Sequence, residues 1–575
     1  MPCIAQRNRP LLLQGTLTTF RRRCGKPTCR CAAGEPHESP ALRFTEGGRT
    51  KTLTLTASEV AQVTAAVARY ERAKADLEAQ PAGFGADSRG CFEQLLGWLE
   101  GGQATGLTHA ELEDELASRG RELLRRMLQD HLTLRAANEP RLAAVADDAG
   151  VVHAAVETGH RRTLASVFGH VQVERLAYRH RGHQNLHPAD AALNLPVERH
   201  SHGLRRLAAI ESTRGSFEQA GAAITRASGQ GVGKRQVEEL TARTAIDVDD
   251  FYSIASHTEP AEDDVLVLSA DGKGIVMRPD SLRPATAKAA AKASAKLATR
   301  LSKGEKRNRK RLAEVGAVYD LAPVPRGATD VLAAKRGEHP PPAAPKAKNK
   351  WVTASVVDDA AEVLAGVFDE AERRDPDHRR SWVALVDGNN HQIQRIQAEA
   401  STRGVVVPIV IDLIHVLEYL WGAAWCFFAE GDPDAETWVR QRALAILQGH
   451  AVQVAAGIRR RASAAKLAHP KRAKADECAK YLVNKARYLD YPTALASGWP
   501  IATGIIEGAC RYLVADRMDI TGARWSVTGA EAVLKLRAVR ANGDFDTYWK
   551  FHLDREQQRV HRSHYANDVI PLAAA

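Results

Sequence analysis

Apolar residues recur at two different periods along the chain, and the change of period divides it into regions. Between residues 57 and 137 they stand three and four positions apart, as at Val60, Val63 and Val67, which is the spacing of amphipathic helices. Before them, the run from Lys51 to Thr56 alternates polar and apolar residues, which is typical of a strand. The pattern therefore predicts a small β-containing module followed by helices, with a Pro- and Gly-rich break at 81–89.

The second half of the chain has the pattern of an α/β core. Strand-like runs occupy 160–180, and helical spacing returns at 203–247. From Asp264 onward, short apolar runs alternate with helical stretches, as expected for a sheet covered by helices. The predicted strands of this sheet are 265–269, 316–321, 352–357, 382–386 and 405–411.

Five regions follow from these patterns, so the fold class is multidomain α/β. They are a small module (1–55), a helical region (56–137), a β segment with helices (138–255), the main α/β region (256–555) and a C-terminal tail (556–575). The main region contains a basic insertion at 284–312. Basic runs of this kind form solvated linkers or track a DNA backbone, and the sequence leaves both open.

Charge narrows the choice of partner. The 575 residues carry 80 Lys and Arg against 69 Asp and Glu, a net charge of +11, which favours a polyanion such as nucleic acid. An aromatic content of 6% and this basic balance argue against a two-carboxylate glycosidase. The apolar stretch 405–428 contains Asp412, His415 and Glu418, and charges at mid-membrane are costly. We therefore expect a buried strand and helix there, no membrane partner and, without a secretory signal, a cytoplasmic protein.

Three carboxylates occupy positions suited to metal binding. Asp271 and Asp387 each follow an apolar run that is predicted to be a strand, and Glu507 opens a helix-like stretch. Residues just past strand ends face the crevice of an α/β sheet, and divalent cations such as Mg²⁺ prefer carboxylate oxygens. Two ions there would polarise both oxygens of a phosphoryl displacement without an organic cofactor. Taken singly, a strand-end Asp is more often a turn residue, and Glu507 could be a helix-capping residue.

The segment from Asp412 to His415 adds a fourth element near this site. On a helix, residues three apart share a face, so these two side chains could converge beneath the metal site. The alternative is that Asp412 caps a helix and His415 is buried with its hydrogen bonds satisfied.

A helix-turn-helix pattern lies upstream. Ser216 is a plausible N-cap of one helix, a Gly-rich turn covers 228–233, and a further helix begins at Lys234. In a DNA-binding motif, Lys234, Arg235 and Gln236 would meet the major groove or its phosphates. An ordinary helical hairpin is the alternative.

Cysteines cluster near the start of the chain. Cys24, Cys29 and Cys31, with His37 nearby, supply the soft ligands that Zn²⁺ takes in tetrahedral sites. The surrounding module is basic and could contact DNA whether or not zinc is bound. Reduced thiols without metal are the alternative.

Three sequence stretches resemble a known family. The more specific one runs from Gly504-Ile-Ile-Glu507 through Arg517 and Arg524-Trp525 to Arg537, and the others surround Asp271 and Asp387. Over about residues 150–555 the chain resembles bacterial DDE transposases of the ISKra insertion-sequence group, and more distantly Mutator-type transposases.

The resemblance implies a ribonuclease-H-like catalytic core in which Asp271, Asp387 and Glu507 bind Mg²⁺ or Mn²⁺. It also implies a helical insertion at about 425–500, before Glu507, and a C/D-x-x-H motif, which Asp412-Leu-Ile-His415 matches. Some related families place the second catalytic Asp after the later strand, at Asp412, and we prefer Asp387.

The implied activity is cleavage of element ends and joining of the 3′-hydroxyl to double-stranded target DNA, by a homo-oligomer assembled on DNA. Arg511, Arg517 and Arg524 would neutralise phosphates, and Trp525 would either stack or pack in the core. The alternatives are a metal-dependent nuclease or resolvase on the same core, and a catalytically silent DNA-binding derivative.

Overall fold

A computed structural model describes residues 15–26, 28–46, 49–78, 85–255, 263–292, 309–332, 344–520 and 522–571. Much of the predicted basic insertion, residues 293–308, lies outside the described residues, as do residues 81–84 of the Pro-Gly break predicted at 81–89, whose residues 86–89 belong to a helix. The chain divides into two compact units, one of residues 1–139 with 172–174 and one of residues 140–171 with 175–575.

The first unit starts with a three-stranded antiparallel sheet and continues as helices. Its strands, in spatial order, are β1 (Thr16–Arg22), β2 (His37–Glu46) and β3 (Arg49–Thr54). Its helices are α1 (Ala57–Glu78), α2 (Ala86–Glu100), α3 (Gly102–Thr105) and α4 (His109–Ala137). The strand and helix content predicted for 1–137 is confirmed.

The second unit opens with two small pairs of strands and a group of helices. The strands are β4 (Val145–Ala146), β5 (Val152–His153), β6 (Ala155–Ser166) and β7 (Gly169–Arg179). The helices are α5 (Pro188–Ala192), α6 (His202–Ser212), α7 (Phe217–Ser228), α8 (Lys234–Ala245) and α9 (Val248–Ser253). This confirms the strand runs near 160–180 and the return to helix at 203–247.

A five-stranded mixed sheet forms the centre of this unit. Its strands are β8 (Val265–Val276), β9 (Lys310–Leu321), β10 (Ala347–Ser355), β11 (Trp382–Val386) and β12 (Ile409–Ile411). Their spatial order is β10-β9-β8-β11-β12, in which β8, β11 and β12 run parallel and β9 runs antiparallel to both its neighbours. The helices between the strands are α10 (Pro284–Lys292), α11 (Ala328–Leu332), α12 (Ala360–Arg374) and α13 (Asn390–Arg403).

All five predicted strands are present, but the expectation that Asp271 ends a strand is wrong. Asp271 lies in the middle of β8, which continues to Val276 because each of its residues stays paired with β9. The two glycines after it make this possible, since a Cβ at Gly272 would lie 2.9 Å from the Leu312 side chain on β9. At the other end of the sheet, β12 covers only the last three residues of the predicted run 405–411.

The predicted helical insertion is confirmed. It follows α14 (Leu413–Ala424) and comprises α15 (Pro433–Leu447), α16 (Ala451–Ala464), α17 (His469–Lys485) and α18 (Tyr491–Ala496). Their buried residues join the sheet in one continuous apolar core. Among the described residues, no helix combines the length and apolar character that crossing a membrane requires.

The chain then returns to the sheet and ends in helices. These are α19 (Gly504–Ala509), which leads through a π-helical turn (Cys510–Ala515) into α20 (Asp516–Met518), then α21 (Val527–Ala541) and α22 (Phe545–Val560).

The prediction of a separate tail at 556–575 is wrong for its described part. α22 extends to Val560, and Glu556, His561 and Tyr565 are buried. Glu556 accepts a 2.6 Å hydrogen bond from the fully buried guanidinium of Arg205 on α6. Since a buried charge needs such a partner, this segment belongs to the packed unit.

Candidate functional site

Three aspartates stand at the same level on neighbouring parallel strands. In the sheet, Ala384 of β11 pairs with Leu268 of β8, and Val386 pairs with Ile411 of β12. Continuing both registers along the strands places Asp387 beside Asp271 on one side and beside Asp412 on the other. Neighbouring strands lie about 4.8 Å apart, so the backbones of the three aspartates are neighbours at the end of β11 and β12.

These aspartates line a cavity of about 190 Å³ together with the predicted glutamate. All three predicted catalytic residues and both supporting residues contribute to its wall, namely Asp271, Asp387, Glu507, Asp412 and His415. The remaining lining residues are Ala270, Ile414, Glu418, Thr503 and Ile506. The structure thus brings together residues that are up to 236 positions apart in the sequence.

Asp271 is fixed by two donors. Its Oδ1 accepts a 2.7 Å hydrogen bond from the amide of Gly272, and its Oδ2 accepts one of 3.3 Å from the Cys510 thiol. Burial, reinforced by the charge of Asp271, raises the pKa of Cys510 well above its usual range, so the thiol keeps its proton. Burial and then Asp271 also raise the pKa of Glu314, which pairs across the strands with Gly272. This edge of the sheet therefore has a negative potential.

Among the described residues, only one carboxylate oxygen of Asp387 accepts a hydrogen bond. Its Oδ1 accepts a 2.7 Å hydrogen bond from Asn389, and its carbonyl accepts one of 3.2 Å from the Tyr481 hydroxyl on α17. The next residue, Gly388, has φ of 93°, and a Cβ there would lie 2.9 Å from that hydroxyl. Only glycine fits this turn without strain, so the backbone after β11 is held in one position.

Asp412 does cap a helix, as the alternative interpretation predicts. Its Oδ1 accepts a 2.7 Å hydrogen bond from Ile414 in the first turn of α14, and its Oδ2 accepts one from the Thr503 hydroxyl. Asp412 is only 2% exposed. His415, by contrast, is partly exposed and lies 3.2 Å from Glu418, so the expectation of a buried histidine is wrong.

Glu507 is exposed in the first turn of α19 and does not cap that helix, whose N-cap Thr503 makes no side-chain capping bond. Its carboxylate is therefore available to the cavity. Among the described residues, the groups whose ligand atoms all lie within 4.8 Å of one another do not include these carboxylates. A shared ion would therefore require these side chains to move closer together, and Glu507 is the most exposed of them.

The helix-turn-helix segment folds as the sequence predicts. Ser216 and Gln219 form a reciprocal capping box at the start of α7, and Gly229 ends that helix with φ of 70°. The three predicted DNA-contacting residues, Lys234, Arg235 and Gln236, are exposed in the first turn of α8. The side-chain oxygen (Oε1) of Gln236 accepts a 3.1 Å hydrogen bond from the Gly233 amide, and Arg235 lies 3.0 Å from Glu239.

The prediction that Arg517 neutralises phosphate is wrong. Arg517 is 2% exposed, donates a 2.9 Å hydrogen bond to the carbonyl of Ser212 and lies over the ring of Trp525 at 4.5 Å. Burial, followed by the nearby charge of Arg537, lowers its pKa to about 10. Trp525 packs in the core, while Arg511 and Arg524 are exposed.

The cysteine cluster near the start of the chain forms a possible metal site. Ligand atoms of Cys24, Cys29, Cys31 and His37 all lie within 4.8 Å of one another. The Cys24 and Cys31 sulfurs are 3.4 Å apart, and the Cys29 sulfur is 3.0 Å from Nε2 of His37. Two tight turns, closed by bonds from Cys29 to Lys26 and from Ala32 to Cys29, place the three thiols on one side. Three thiols and one imidazole fit a tetrahedral soft-metal site.

Sequence reasoning missed several residues of these sites. Thr503 stands four residues before Glu507, and Cys510 stands three residues after it. Neither residue type indicates, from the sequence alone, a hydrogen-bond donor to an aspartate of the site. A third group, Asp147, His153 and His183, also has its ligand atoms within 4.8 Å. The signal available for it was the run of histidines at 180, 183 and 187.

Comparison with known proteins bears on the first unit. Residues 4–65 match a family described as a domain of unknown function (DUF6788). The match covers the four residues of the cysteine cluster, the three strands and the start of α1. No curated protein matches the chain.

Proposed function

We propose that this chain is a DNA transposase that cleaves the ends of a mobile element and joins them to target DNA. The observation that carries the proposal is the shared cavity lined by Asp271, Asp387 and Glu507. These three residues are predicted from the sequence as a catalytic triad, and they line one cavity although they are far apart in the sequence.

The sheet supports a ribonuclease-H-like core. Numbered from the first strand of the sheet, the spatial order is 3-2-1-4-5, with the first three strands antiparallel and the last two parallel to the first. This is the arrangement implied by the resemblance to DDE transposases, and the helical insertion before Glu507 also agrees with it.

The donor set of the cavity fits Mg²⁺ or Mn²⁺. Carboxylate oxygens are the ligands that hard divalent cations prefer, and no thiolate or neutral imidazole of the triad competes for a softer metal. When bound, such ions would supply charge stabilisation to the attacking and leaving oxygens of a phosphodiester. The protein holds Asp271 through Gly272 and Cys510, and Asp387 through the rigid turn at Gly388.

Asp387 is the better candidate for the second carboxylate. It is partly exposed, and its Oδ2 has no hydrogen bond from the described residues. Both oxygens of Asp412 are occupied, by Ile414 and by Thr503. We assign Asp412 the role of positioning the start of α14, which carries His415 into the cavity wall.

DNA would be bound by several positively charged surfaces. Lys234 and Arg235 are exposed at the start of α8, and Arg511 and Arg524 are exposed on either side of the buried Arg517. The first unit would add a zinc-stabilised basic module, with Zn²⁺ as the metal of the cysteine cluster. Synapsis of two element ends would require a homo-oligomer on DNA.

The test is a transposition assay with DNA taken from either side of the coding sequence. A donor plasmid carries a marker between these flanking segments, and purified protein is supplied with a target plasmid and Mg²⁺. We expect Glu507→Gln to lower strand cleavage at least about a hundredfold, since a lost metal ligand removes several kcal/mol of transition-state stabilisation. DNA binding should persist in this variant.

The matched control is Asp516→Asn, an exposed acid nine positions further along the same helical segment and outside the cavity. It should retain activity. Supplying a pre-cut end separates the alternatives, because a transposase joins it to the target and a nuclease or resolvase does not. Unchanged strand transfer by Glu507→Gln would refute the assignment, and binding without cleavage by the unaltered chain would indicate a silent derivative.

A further inference from the structure

A second cluster of potential metal ligands lies far from the cavity, in the β-hairpins that open the second unit. Asp147 follows β4, His153 ends β5, and His183 stands in the turn after β7. Both histidines approach one atom, Oδ2 of Asp147, which is 3.2 Å from Nε2 of His153 and 3.2 Å from Nδ1 of His183.

The surrounding hydrogen bonds orient these three groups. The other carboxylate oxygen of Asp147, Oδ1, accepts a 2.8 Å bond from the Val151 amide, which leaves Oδ2 facing the histidines. His153 is fully buried, and its Nδ1 lies 3.3 Å from the carbonyl oxygen of Tyr178. Partners of this kind fix the tautomer and ring orientation of metal-ligating histidines.

The tautomer of His153 indicates that a cation lies between its Nε2 and Asp147. A carbonyl oxygen only accepts, so Nδ1 of His153 donates to Tyr178, and in a neutral ring Nε2 then carries a lone pair. That lone pair faces a carboxylate oxygen, an arrangement of two acceptors in a buried site. Either a second proton on the ring or a metal ion must lie between them.

The geometry favours the metal. Zinc bonds to nitrogen and oxygen are about 2.0–2.1 Å long, so the ligand atoms of a tetrahedral site lie about 3.3 Å apart. The two contacts of 3.2 Å, from Oδ2 of Asp147 to each histidine nitrogen, match this separation of ligand atoms. Both rings approach the same carboxylate oxygen, so a single ion would be bound by both nitrogens together with that oxygen.

We propose that Asp147, His153 and His183 form a binding site for a divalent first-row transition metal, with Zn²⁺ as the expected ion. The ion would join the β4–β5 hairpin to the turn after β7. Two imidazoles and one carboxylate leave a fourth position, which faces a cavity of about 610 Å³ lined by both Asp147 and His183.

The test measures zinc in the full-length chain with the first metal site removed by Cys24→Ser, Cys29→Ser and Cys31→Ser. We expect one Zn²⁺ per chain by elemental analysis after dialysis. Adding His183→Ala should weaken zinc affinity at least about tenfold. Because 39% of the His183 side chain is exposed, this change leaves the apolar core intact.

His180→Ala is the matched control. The His180 ring lies 5.2 Å from that of His183, but His180 is not one of the converging ligands. It should bind zinc as the parent does. Cobalt(II) provides a second readout: a tetrahedral visible band without thiolate charge transfer, lost with His183→Ala. A parent that binds no zinc, or equal binding by the two histidine variants, would overturn the proposal.

Discussion

The thiol of Cys510 donates a hydrogen bond to Oδ2 of Asp271, so the helical segment that carries Glu507 is tied to the middle of β8. Because burial keeps this thiol protonated, it donates this hydrogen bond to the carboxylate throughout the neutral pH range. Two of the three proposed catalytic residues are therefore positioned through one side chain that takes no part in the proposed triad.

Replacement of Cys510 tests this support. Cys510→Ala removes the donor, and a hydrogen bond to a charged group contributes about 1.5–3 kcal/mol, so we expect cleavage to fall about tenfold or more. Cys510→Ser keeps a donor and should stay close to the parent rate. Single-turnover cleavage in Mg²⁺ measures both, with the melting temperature as the control for folding. Equal rates for the two variants would contradict the role.

Substitutions of Asp387 and of Asp412 should change different properties, namely strand cleavage for Asp387 and stability for Asp412. Asp387→Asn is expected to abolish cleavage while leaving the melting temperature unchanged, because its Oδ2 bonds to no described residue. Asp412→Ala removes a helix cap in a buried position and should destabilise the fold by about 1 kcal/mol or more. Thermal unfolding and strand cleavage of both variants measure this split. If Asp412→Asn, which can still cap, abolished cleavage in a folded protein, the assignments would be exchanged.

The candidate site was predictable as a set of residues but not as an arrangement. Asp387 and Asp412 follow apolar runs that the structure confirms as strands, so their place at one sheet edge follows from parallel pairing. The position of Asp271 does not follow, because β8 continues past it through long-range pairing with β9. The burial of Arg517 against Trp525 depends on a contact with Ser212, which no local pattern reveals.

The stability of the second unit should fall in acid through Glu556. Burial alone would raise the pKa of Glu556, but the hydrogen bond and charge of Arg205 outweigh it and hold the pKa below its ordinary value. The resulting stabilisation is present above the ordinary glutamate pKa and is lost as the pH falls through the lower folded value. Glu556→Gln should flatten this loss below about pH 4.5 in thermal unfolding.

The exposed Glu436→Gln serves as the control and should leave the pH profile unchanged. A parent and a Glu556→Gln variant with the same acid dependence would contradict the assignment. Arg205→Ala should cost about 1.5–3 kcal/mol, because it removes the buried charged donor of Glu556 and leaves that carboxylate with Arg559, whose side chain is partly exposed.

In the metal-free chain, the rate at which Cys24 is alkylated should depend on pH. A backbone hydrogen bond at Lys26, aided by Cys31, lowers the pKa of Cys24 to about 6. The thiolate is the reactive form, so alkylation of Cys24 should rise through about pH 6 and level off above it. Mass spectrometry after brief iodoacetamide treatment measures the rate, with Cys91, outside the cluster, as the internal comparison. Zn²⁺ should protect Cys24, and a rate that still climbs at pH 9 would argue against this prediction.

The first turn of α8 should contribute to DNA affinity through charge. Lys234→Ala combined with Arg235→Ala removes up to two phosphate contacts, so the slope of log affinity against log salt should fall by about 2. Fluorescence anisotropy with duplex DNA at several salt concentrations gives this slope. Arg440→Ala, an exposed charge on α15, is the control. An unchanged slope would favour the plain helical hairpin.

The fold was predictable wherever local pattern and burial agree. The strand at 382–386 has the predicted bounds because both its faces are buried and its ends are polar. Residues 556–571 show where this fails, since their packing depends on Arg205 and on Asp147, which are distant in the sequence. From the sequence alone, residues 556–575 are therefore predicted to be a separate tail.

Because Asp147 pairs with Tyr565, part of the packing around the β4–β5 hairpin can form only late in translation. The β4–β5 hairpin leaves the ribosome hundreds of residues before the strand residue that completes it, and at 5–20 residues per second the delay is roughly 20 to 80 s. During that interval Val145 and Tyr178 can pack with Leu186 and Ala191, but the cluster lacks Tyr565. This apolar cluster is therefore completed only after the residues beyond α22 have been synthesised.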